Sequence, residues 1–384
     1  MDEIRYTRGT PGDRDAIIDF GNYIFSHSSS PTDFPSLLPK LYGQEKNLAE
    51  CHYLAKAGNR IVGMVGAFPM ELNIMGRAFP VRGIGTVSAH PYFRGRGIMT
   101  GLMRRATDDM KRGGVALSVL SGRRQRYEHF GYEPCGAAVD FHIAADNLRA
   151  LSPAGGKLSL APMERGDGET VRKALALQRC NPLFVTREPD DFYTVCLSWD
   201  STPMALLEDG AFRGYLVCSK DRGSILELEL DDVSRIPDAL SAYLAWSGKN
   251  WVSIRLPLYA QKAIAVLDSL SEGYAVAAAG NFRIFDYEPV LRQLLAMKAS
   301  YAPLADGRLV LEIAGAGKFS ISVQSGRIAV EKTEDPADAA FDNLTAMRFL
   351  FSPMGAFREY LPARRDIAHS WFPLPLFFPP ADDV

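Results

Sequence analysis

The chain has 384 residues, which at about 100–200 residues per domain predicts two or three domains. Hydrophobic residues make up 47% and charged residues 23%, a globular composition that argues against disorder. The net charge of −2 gives no basic excess of the kind that indicates nucleic-acid binding. The first residues lack a signal-peptide pattern and the apolar runs are too short for a transmembrane helix, so we expect a cytoplasmic protein without a membrane partner.

The five cysteines are widely spaced, without a Cys-x-x-Cys pair or a Cys/His metal spacing. The six histidines form no metal or triad spacing either. We therefore expect free thiols in a reducing compartment and no bound metal.

In chain order, residues 2–8 predict a strand, and Thr10 then caps the start of a helix. Residues 51–89 predict three strands joined by tight turns that contain glycine. Gly83 and Gly85 lie inside the third of these strands, where glycine indicates a bulge or a close backbone approach.

A helix is predicted to begin near Gly97, because apolar residues follow at i, i+3 and i+4 spacing. Gly113 and Gly114 end this pattern, as glycine does after the last turn of a helix. Residues 115–120 then predict a buried strand, and a basic loop follows at 123–126.

Residues 148–157 contain proline and two glycines and predict a linker. The region beyond it faintly repeats the order of elements in the first part of the chain and indicates a degenerate second copy of the same fold. Its predicted helices are 169–179 and 236–246, and its predicted strands are 203–207, 214–219 and 225–230. A third region begins near Phe282. It predicts helices at 287–299, 337–350 and 354–360, strands at 307–313, 317–323 and 327–331, and an apolar tail at 371–380.

Arg94, Gly95, Arg96 and Gly97 stand at the start of the predicted helix. Free N–H groups at a helix N-terminus bind anions, and glycine lets the backbone approach phosphate closely. The segment therefore predicts a pyrophosphate site. The strand before it, 84–89, has backbone groups that can pair with the amides of an extended ligand arm. Acetyl-CoA presents both a pyrophosphate and such an arm.

Charge is distributed unevenly along the chain. Between Arg94 and Arg126, nine residues are basic and two are acidic. A basic run by itself is more typical of a solvated face. Its position around a glycine-rich helix start favours a site for an anionic ligand instead.

These residues resemble motif A of the GNAT acetyltransferases, whose pattern is Gln/Arg-x-x-Gly-x-Gly/Ala. Here the motif reads Arg94-x-x-Gly97-x-Met99, so that the last position departs from the pattern. Downstream, residues 127–132 (Tyr-Glu-His-Phe-Gly-Tyr) resemble the Tyr-x-x-Phe-Gly-Tyr signature of the Eis-like (enhanced intracellular survival) branch of that family.

The layout of the whole chain is similar to that branch. The resemblance implies an α+β (mixed α/β) fold with two tandem GNAT-type mixed-sheet domains and a C-terminal sterol-carrier-protein-like domain. The catalytic acetyl-CoA-binding domain would span 1–147, the degenerate GNAT-like domain 148–284, and the third domain 285–384, with its tail reaching the active site. The segment 282–287 (Phe-Arg-Ile-Phe-Asp-Tyr) fits the usual entry to the third domain.

The resemblance implies acetyl-CoA as the co-substrate and no metal. Thr86, Val87 and Ser88 would contact the pantetheine and the thioester. The loop and first helical turn would hold the pyrophosphate through Arg94, Gly95, Arg96, Gly97, Ile98 and Met99. Gly122 and Arg123 would complete the cofactor site.

The resemblance also implies that Tyr127 is the general acid and that the terminal carboxylate, here of Val384, is the general base. Acetyl transfer has a use for these groups, because a tyrosine stays protonated at neutral pH and can protonate a leaving thiolate. The N–H of Val87 can stabilise the charge that develops on the carbonyl oxygen. An α-carboxylate is a weak base, so Val384 must be perturbed, act through water, or orient a cationic amine.

Structural alternatives stay open for these residues. Tyr127 can be a core residue beside Phe130 and Tyr132. The apolar tail can simply pack inside the protein, although packing would also fix the position of the terminus. Asp382 and Asp383 would add negative charge for a cationic amine, or belong to a solvated terminus.

We therefore expect an N-acetyltransferase that moves an acetyl group to a small-molecule amine, aminoglycoside-like or polyamine-like, by direct attack in a ternary complex. One alternative is acetylation of lysine in a protein or peptide. Another is a non-catalytic lipid-binding or scaffold protein built on the third domain. The resemblance further implies a homo-oligomer such as a hexamer.

Overall fold

The computed structural model describes residues 3–27, 31–151 and 157–384. The strands in these ranges are β1 (Ile4–Arg8), β2 (His52–Ala57), β3 (Arg60–Ile74), β4 (Arg77–Ala89), β5 (Leu117–Leu120), β6 (Glu133–Cys135), β7 (Ala138–Ala144), β8 (Ser159–Pro162), β9 (Leu183–Val185), β10 (Thr202–Glu208), β11 (Ala211–Cys218), β12 (Ser224–Leu230), β13 (Trp251–Pro257), β14 (Tyr274–Ala277), β15 (Gly280–Ile284), β16 (Gly307–Ile313), β17 (Gly317–Gln324), β18 (Arg327–Lys332) and β19 (Ala339–Phe341).

The helices in the same ranges are α1 (Arg14–Ser26), α2 (Phe34–Leu37), α3 (Pro39–Tyr42), α4 (Ile98–Arg112), α5 (Arg124–Tyr127), α6 (Ala145–Leu151), α7 (Gly168–Gln178), α8 (Pro189–Leu197), α9 (Ile236–Ser247), α10 (Gln261–Leu270), α11 (Tyr287–Ala299), α12 (Asn343–Phe351) and α13 (Arg365–Trp371). The predicted linker, 148–157, lies outside the described residues at 152–156, and its first residues continue α6.

The first sheet has the strand order β1-β2-β3-β4-β5-β15-β6, with β9 pairing to β3. It is a mixed sheet, because β3 and β4 form an antiparallel hairpin while β4 and β5 run parallel. Helix α4 covers one face of the sheet with the apolar stripe that the sequence predicted. Ile98, Leu102, Met103 and Ala106 on this stripe are fully buried. This packing fixes the start of α4 beside the end of β4.

The parallel pairing of β4 and β5 stops before β4 ends. The last paired residues are Ile84 and Leu120, but β4 continues to Ala89. Within the described residues, no strand pairs with that edge of β4 beyond Ile84. The strand also carries a register irregularity opposite residues 64–66, next to which Thr86 adopts a positive φ of 51°. Strand β4 thus presents open backbone groups where β5 diverges from it.

The second sheet has the order β14-β7-β13-β12-β11-β10-β8, and its strands alternate with α7, α9 and α10. Two strands near the predicted domain limits lie in the sheet of the other domain. Strand β7, expected in the first domain, pairs with β13, and β15, expected in the second, pairs with β5 and β6. Which sheet a strand joins is decided by long-range pairing, which local patterning does not encode. The limits at 147 and 284 stay a prediction.

The third sheet, β18-β17-β16-β19, packs with α11 and α12. The prediction of a helix over 337–350 is wrong in its first part, because Ala339–Phe341 forms β19. These residues pair in parallel with β16, and the Asp342 side chain then accepts a hydrogen bond from the N–H of Thr345 and caps α12. The helix therefore begins at Asn343. The segment predicted as a helix at 354–360 is a 3-10 helix, Gly355–Tyr360.

The apolar tail packs inside the protein. Its large side chains are all buried, namely Trp371, Phe372, Leu374, Leu376, Phe377 and Phe378. Most of them join a core that also contains residues of the first sheet and of α11. The tail thereby carries the last residues of the chain away from the third sheet and into the first.

Candidate active site

A cleft of about 760 Å³ opens where β4 ends and α4 begins. Seven of the predicted cofactor residues line it: Val87, Ser88, Arg94, Gly95, Gly97, Ile98 and Met99. Ile24 and Phe25 on α1 and Arg126 on α5 also line it, together with Ala89, Phe93 and Thr100. Thr86, Arg96, Gly122 and Arg123 were predicted to hold the cofactor but do not line this cleft.

The loop before α4 has the conformation that its glycines permit. Gly95 and Gly97 have φ values of 77° and 71°, in the left-handed region where side chains are strained. Gly97 caps α4, and the N–H groups in the first turn of this helix have no carbonyl of their own helix to bond. Both glycines are exposed, and nothing lies within 4 Å of a Cβ built on either. An open helix start of this kind fits a pyrophosphate.

The arginines around the loop take different positions. Arg94 is exposed and lines the cleft, and Arg126 faces it from α5. The guanidinium of Arg96 instead lies 4.9 Å from the centroid of the Phe93 ring, in a cation–π contact. Two arginines therefore reach the cleft directly, and one supports the loop from its side.

Val87 and Ser88 lie on the cleft wall, whereas Thr86 faces away from it. The hydroxyl oxygen of Thr86 lies 3.1 Å from the hydroxyl of Tyr42, which in turn lies 3.0 Å from Nε2 of His52. Burial lowers the pKa of His52 to about 4, so the imidazole is neutral near pH 7. This buried polar cluster holds the irregular turn of β4 at Thr86 from behind.

Tyr127 lies under the loop that contains Gly122. A Cβ built on Gly122 would be 2.5 Å from Cε2 of the tyrosine ring, so that only glycine allows this approach. The Gly122 carbonyl accepts a hydrogen bond of 3.1 Å from the Asn281 side chain, which ties the loop to β15. Tyr127 is 5% exposed, and burial raises the pKa of its hydroxyl, which therefore stays protonated at neutral pH. The neighbouring Arg123 is exposed.

Val384 is buried against β4, at the two glycines of that strand. A Cβ on Gly83 would lie 2.5 Å from a methyl group of Val384, and a Cβ on Gly85 would lie 3.0 Å from its carboxyl carbon. Gly83 and Gly85 predicted a close approach to this strand, and Val384 is the residue that makes it. Val87, two residues beyond Gly85, already lines the cleft.

Polar contacts fix the residues just before Val384. The Lys40 ammonium donates a 2.9 Å hydrogen bond to the Ala381 carbonyl, and Ser121 donates one of 2.6 Å to the Asp383 carboxylate. The indole N–H of Trp199 donates to the backbone carbonyl of Asp383 at 3.0 Å. Desolvation lowers the pKa of Lys40 to about 8 and raises the pKa of Asp383.

Asp382 is held by a buried ion-pair network. Arg187 donates to both of its carboxylate oxygens, at 3.0 and 2.8 Å, and to both oxygens of Glu227, at 2.9 and 2.7 Å. All three side chains are at most 7% exposed. Asp382 is therefore not the solvated residue that one sequence alternative described.

Sequence reasoning missed the residues that hold the tail: Lys40, Ser121, Arg187, Trp199 and Glu227. Each is an isolated polar or aromatic residue without a motif, and Lys40 lies 341 positions from its partner. Ile24 and Phe25 were not predicted to be site residues. For Arg126 a signal existed, since it belongs to the basic loop after β5.

Residues 5–135 match the family model described as "Acetyltransferase (GNAT) domain". An "Uncharacterized N-acetyltransferase" from Streptomyces avermitilis is 39% identical over 77 residues, which are 20% of this chain and 19% of that protein. The match therefore covers about a fifth of the relative's length. Residues 5–135 thus match a GNAT acetyltransferase domain.

Two solved structures share the fold along nearly the whole chain. The GCN5-related N-acetyltransferase from Kribbella flavida has a TM-score of 0.71, 17% identity, and 98% coverage of both chains. Eis1 from Mycobacterium abscessus has a TM-score of 0.61 and 16% identity, with 94% of this chain and 89% of that chain covered. At such identities the likeness is one of fold.

Two features are absent from residues 3–27, 31–151 and 157–384. No helix in these ranges is long and apolar enough to cross a membrane. The same ranges contain no group of three or more His, Cys, Asp or Glu side chains placed to hold a metal ion. The cysteines in the described residues are free thiols.

Proposed function

We propose that this chain is an N-acetyltransferase that moves the acetyl group of acetyl-CoA to an amine. The observation that carries the proposal is the meeting of two features on β4. Gly85 contacts the carboxyl group of Val384, and the next residues of the strand lead into a cleft that ends at the glycine-rich start of α4. The residues for binding an acyl donor and for handling a proton thus lie along one strand.

The residues of the cleft fit acetyl-CoA. The first turn of α4, with Arg94 and Arg126, supplies N–H groups and positive charge for the pyrophosphate. The unpaired edge of β4 beyond Ile84 offers backbone groups to the amides of the pantetheine arm. Met99 lies on the wall at the position where the motif has a small residue, and Gly95 and Gly97 keep the loop open.

In the proposed reaction, the neutral amine attacks the thioester carbonyl. A C–N bond forms, the C–S bond breaks, and the amine loses a proton while the thiolate gains one. The N–H of Val87 stabilises the developing oxyanion. Tyr127 gives its hydroxyl proton to the thiolate and recovers one from solvent.

The carboxyl group of Val384 receives the proton of the amine, directly or through water. It is buried against Gly83 and Gly85, and the carboxylate of Asp383 belongs to the residue just before it. The same two carboxylates attract a cationic acceptor. We therefore propose a cationic small molecule, aminoglycoside-like or polyamine-like, as the acceptor.

The likeness in fold to Eis1 over 94% of this chain supports the assignment to the Eis-like branch. In that assignment the third sheet with α11 and α12 corresponds to the sterol-carrier-protein-like domain. Its proposed role is to carry the tail to β4, since the buried apolar tail residues pack in the core that the third sheet shares with the first.

The test is acetyl-CoA turnover measured as free CoA with aminoglycosides and polyamines as acceptors. We expect turnover with at least one acceptor class and a higher melting temperature in the presence of acetyl-CoA. Mass spectrometry of peptides in the same assay separates lysine acetylation from small-molecule acetylation. If no amine is acetylated and acetyl-CoA leaves the melting temperature unchanged, the proposal fails.

A further inference from the structure

A second cavity, of about 570 Å³, lies between the second sheet and the tail. Strands β12 and β13 form one side of it, and Tyr301, Phe377 and Pro379 form the other. It shares no lining residue with the cleft at α4. Its volume lies within the range of about 300–1,000 Å³ that is usual for small-molecule sites.

The second cavity exists because two parallel strands separate. Strands β12 and β13 pair only at Ser224 with Ser253 and Ile225 with Ile254. Beyond these residues the strands diverge, and residues 226–230 and 254–257 line the opening. In the first sheet, β4 and β5 likewise pair in parallel and diverge beyond Ile84 and Leu120.

The chemistry of the second cavity differs from that of the cleft. Val233 and Ile236 line the second cavity where the chain enters α9. Just before them, the side chain of Asp232 accepts a 2.9 Å hydrogen bond from the N–H of Ser234. The neighbouring Asp231 pairs with Arg213 and Arg235. Carboxylates thus occupy the helix start that corresponds to the proposed pyrophosphate site of the first domain, which disfavours an anionic ligand at this point.

Two polar side chains on the cavity wall, Gln178 and Glu229, carry acceptor oxygens. Gln178 is 3% exposed and donates through Nε2 to the Val185 carbonyl at 2.9 Å, while its Oε1 has no partner within the described residues. Glu229 accepts a 2.7 Å hydrogen bond from Asn181 on one carboxylate oxygen. The Gln178 oxygen is shielded by the protein, but the second carboxylate oxygen of Glu229 accepts no hydrogen bond within the described residues. A ligand that donates a hydrogen bond to this oxygen is therefore favoured.

Among the described residues, Glu229 and Lys262 are the acidic or basic side chains of the wall without an ionic partner at 4 Å or less. Glu227 pairs with Arg187, and Arg255 pairs with Asp140 at 2.6 Å. Lys262 is exposed at the rim. Desolvation and the neighbouring Glu227 raise the pKa of Glu229 to about 8. A cation beside Glu229 would remove this penalty.

We propose that the second cavity binds a small organic amine as its cation. The ammonium group donates to the Glu229 carboxylate. The carbon skeleton of the amine lies against apolar wall residues, which include Leu228, Ile254 and Leu256. Such binding goes beyond acetyl transfer and requires neither acetyl-CoA nor Val384.

The experiment is isothermal titration calorimetry on the full chain, with phenethylamine as the probe and 2-phenylethanol as its neutral counterpart. We expect saturable binding of phenethylamine and at least about tenfold weaker binding of the alcohol, because the ion pair is lost. At pH 7 the Glu229 carboxyl of the free protein is mostly protonated, so binding of the cation should release close to one proton. Buffers of different ionisation enthalpy report this release.

Glu229→Gln keeps the shape of the protonated carboxyl but cannot become charged. It should weaken phenethylamine binding at least about tenfold and abolish proton release. Glu331→Gln, at an exposed glutamate of β18, is the matched control and should change neither the affinity for phenethylamine nor the proton release. Circular dichroism checks that both variants fold. The comparison of the amine with the alcohol uses the unsubstituted chain, so it does not depend on the folding of either variant.

Three results would overturn the proposal. The first is equal affinity for the alcohol and the amine, which indicates a neutral ligand. The second is unchanged affinity in a folded Glu229→Gln variant, which places the amine elsewhere. The third is an absence of saturable binding for phenethylamine, tyramine and hexylamine.

Discussion

The carboxyl carbon of Val384 lies 3.0 Å from the position that a Cβ on Gly85 would occupy. One oxygen of the same carboxyl group lies 3.1 Å from that position. A glycine in the middle of β4 thus makes room for the last residue of the tail. Two residues further along the strand, Val87 lines the cleft at the start of α4. The proposed proton acceptor and the proposed acyl-donor site are therefore positioned by the same strand.

Gly85→Ala should displace the carboxyl group of Val384, because the new methyl group would contact it at a distance tighter than ordinary van der Waals contact. We expect kcat to fall about tenfold or more, since small displacements of reacting groups are costly. Acetyl-CoA should still bind. Steady-state kinetics and calorimetric titration with acetyl-CoA measure the two effects.

The control for this substitution is Gly168→Ala at the start of α7, where nothing lies within 4 Å of the added Cβ. It should leave kcat and the affinity for acetyl-CoA unchanged. A Gly85→Ala variant with a lower melting temperature but normal kcat would show that the contact matters for packing alone.

Extension of the chain by two glycines after Val384 should lower kcat strongly, because it replaces the carboxylate with an amide and overfills the space at Gly83 and Gly85. Extension before Met1 by the same residues is the control. An unchanged rate in the first variant would assign the tail to packing and leave another group as the base.

Tyr127→Phe should lower kcat about 100-fold, within the range that general-acid groups contribute. Acetyl-CoA affinity should be nearly unchanged, because the proposed role of the hydroxyl is to protonate the leaving thiolate and not to hold the pyrophosphate or the pantetheine arm. Tyr132→Phe serves as the comparison within the same signature. The Tyr132 hydroxyl lies 2.7 Å from Ser118 in the core, so its loss should lower the melting temperature more than kcat.

If the Tyr127→Phe and Tyr132→Phe variants lose kcat equally, Tyr127 has no specific role in protonation. A normal kcat for Tyr127→Phe would support the alternative that the residue belongs to the core of the first domain.

The part of the site that could be predicted from the sequence is contiguous in the chain. Residues 84–112 contain a strand, a glycine-rich turn and a helix, and each has a local period or a backbone requirement that can be recognised. Burial of the apolar tail could also be predicted, because so many apolar side chains are unfavourable in water. The glycines of β4 predicted a close approach, although not the residue that makes it.

The contacts that hold the tail could not be predicted in this way. Arg187 and Asp382 are 195 positions apart, and neither lies in a pattern that names the other. The exchange of β7 and β15 between sheets has the same origin, since pairing partners depend on the whole fold. Residues 337–350 predict a helix, but the pairing of Ala339–Phe341 with β16 overrides the helical preference of the alanines in this segment.

Arg187→Met should destabilise the protein by about 3–5 kcal/mol, because it leaves the buried carboxylates of Glu227 and Asp382 without their partner. It should also lower kcat, since Asp382 then no longer holds the tail in place. Chemical denaturation and steady-state kinetics measure these effects. Lys173→Met, which breaks an exposed pair with Glu169, should change neither measurably. A stable Arg187→Met variant with normal kcat would contradict the role of this network.

Stability should fall in mild acid because of His52. Burial lowers its pKa in the folded protein to about 4, whereas the unfolded chain has an ordinary imidazole near pH 6.5. Below pH 6.5 the unfolded chain therefore binds a proton that the folded protein does not, and the free energy of unfolding decreases until about pH 4. Between pH 7.5 and 5 the loss assigned to His52 is about 2 kcal/mol.

Denaturant titrations at pH 7.5 and 5 measure this loss when the chain is compared with its His52→Gln variant. The variant is less stable at pH 7.5, because it disturbs the contact with Tyr42, but its stability should depend less on pH by the stated amount. His129→Gln, at an exposed imidazole, should retain the full dependence. Equal pH dependence in all three proteins would show that the imidazole of His52 is protonated in the folded state as readily as in the unfolded chain. The buried cluster of His52, Tyr42 and Thr86 would then be open to water, and could not fix the turn of β4 beside the cleft.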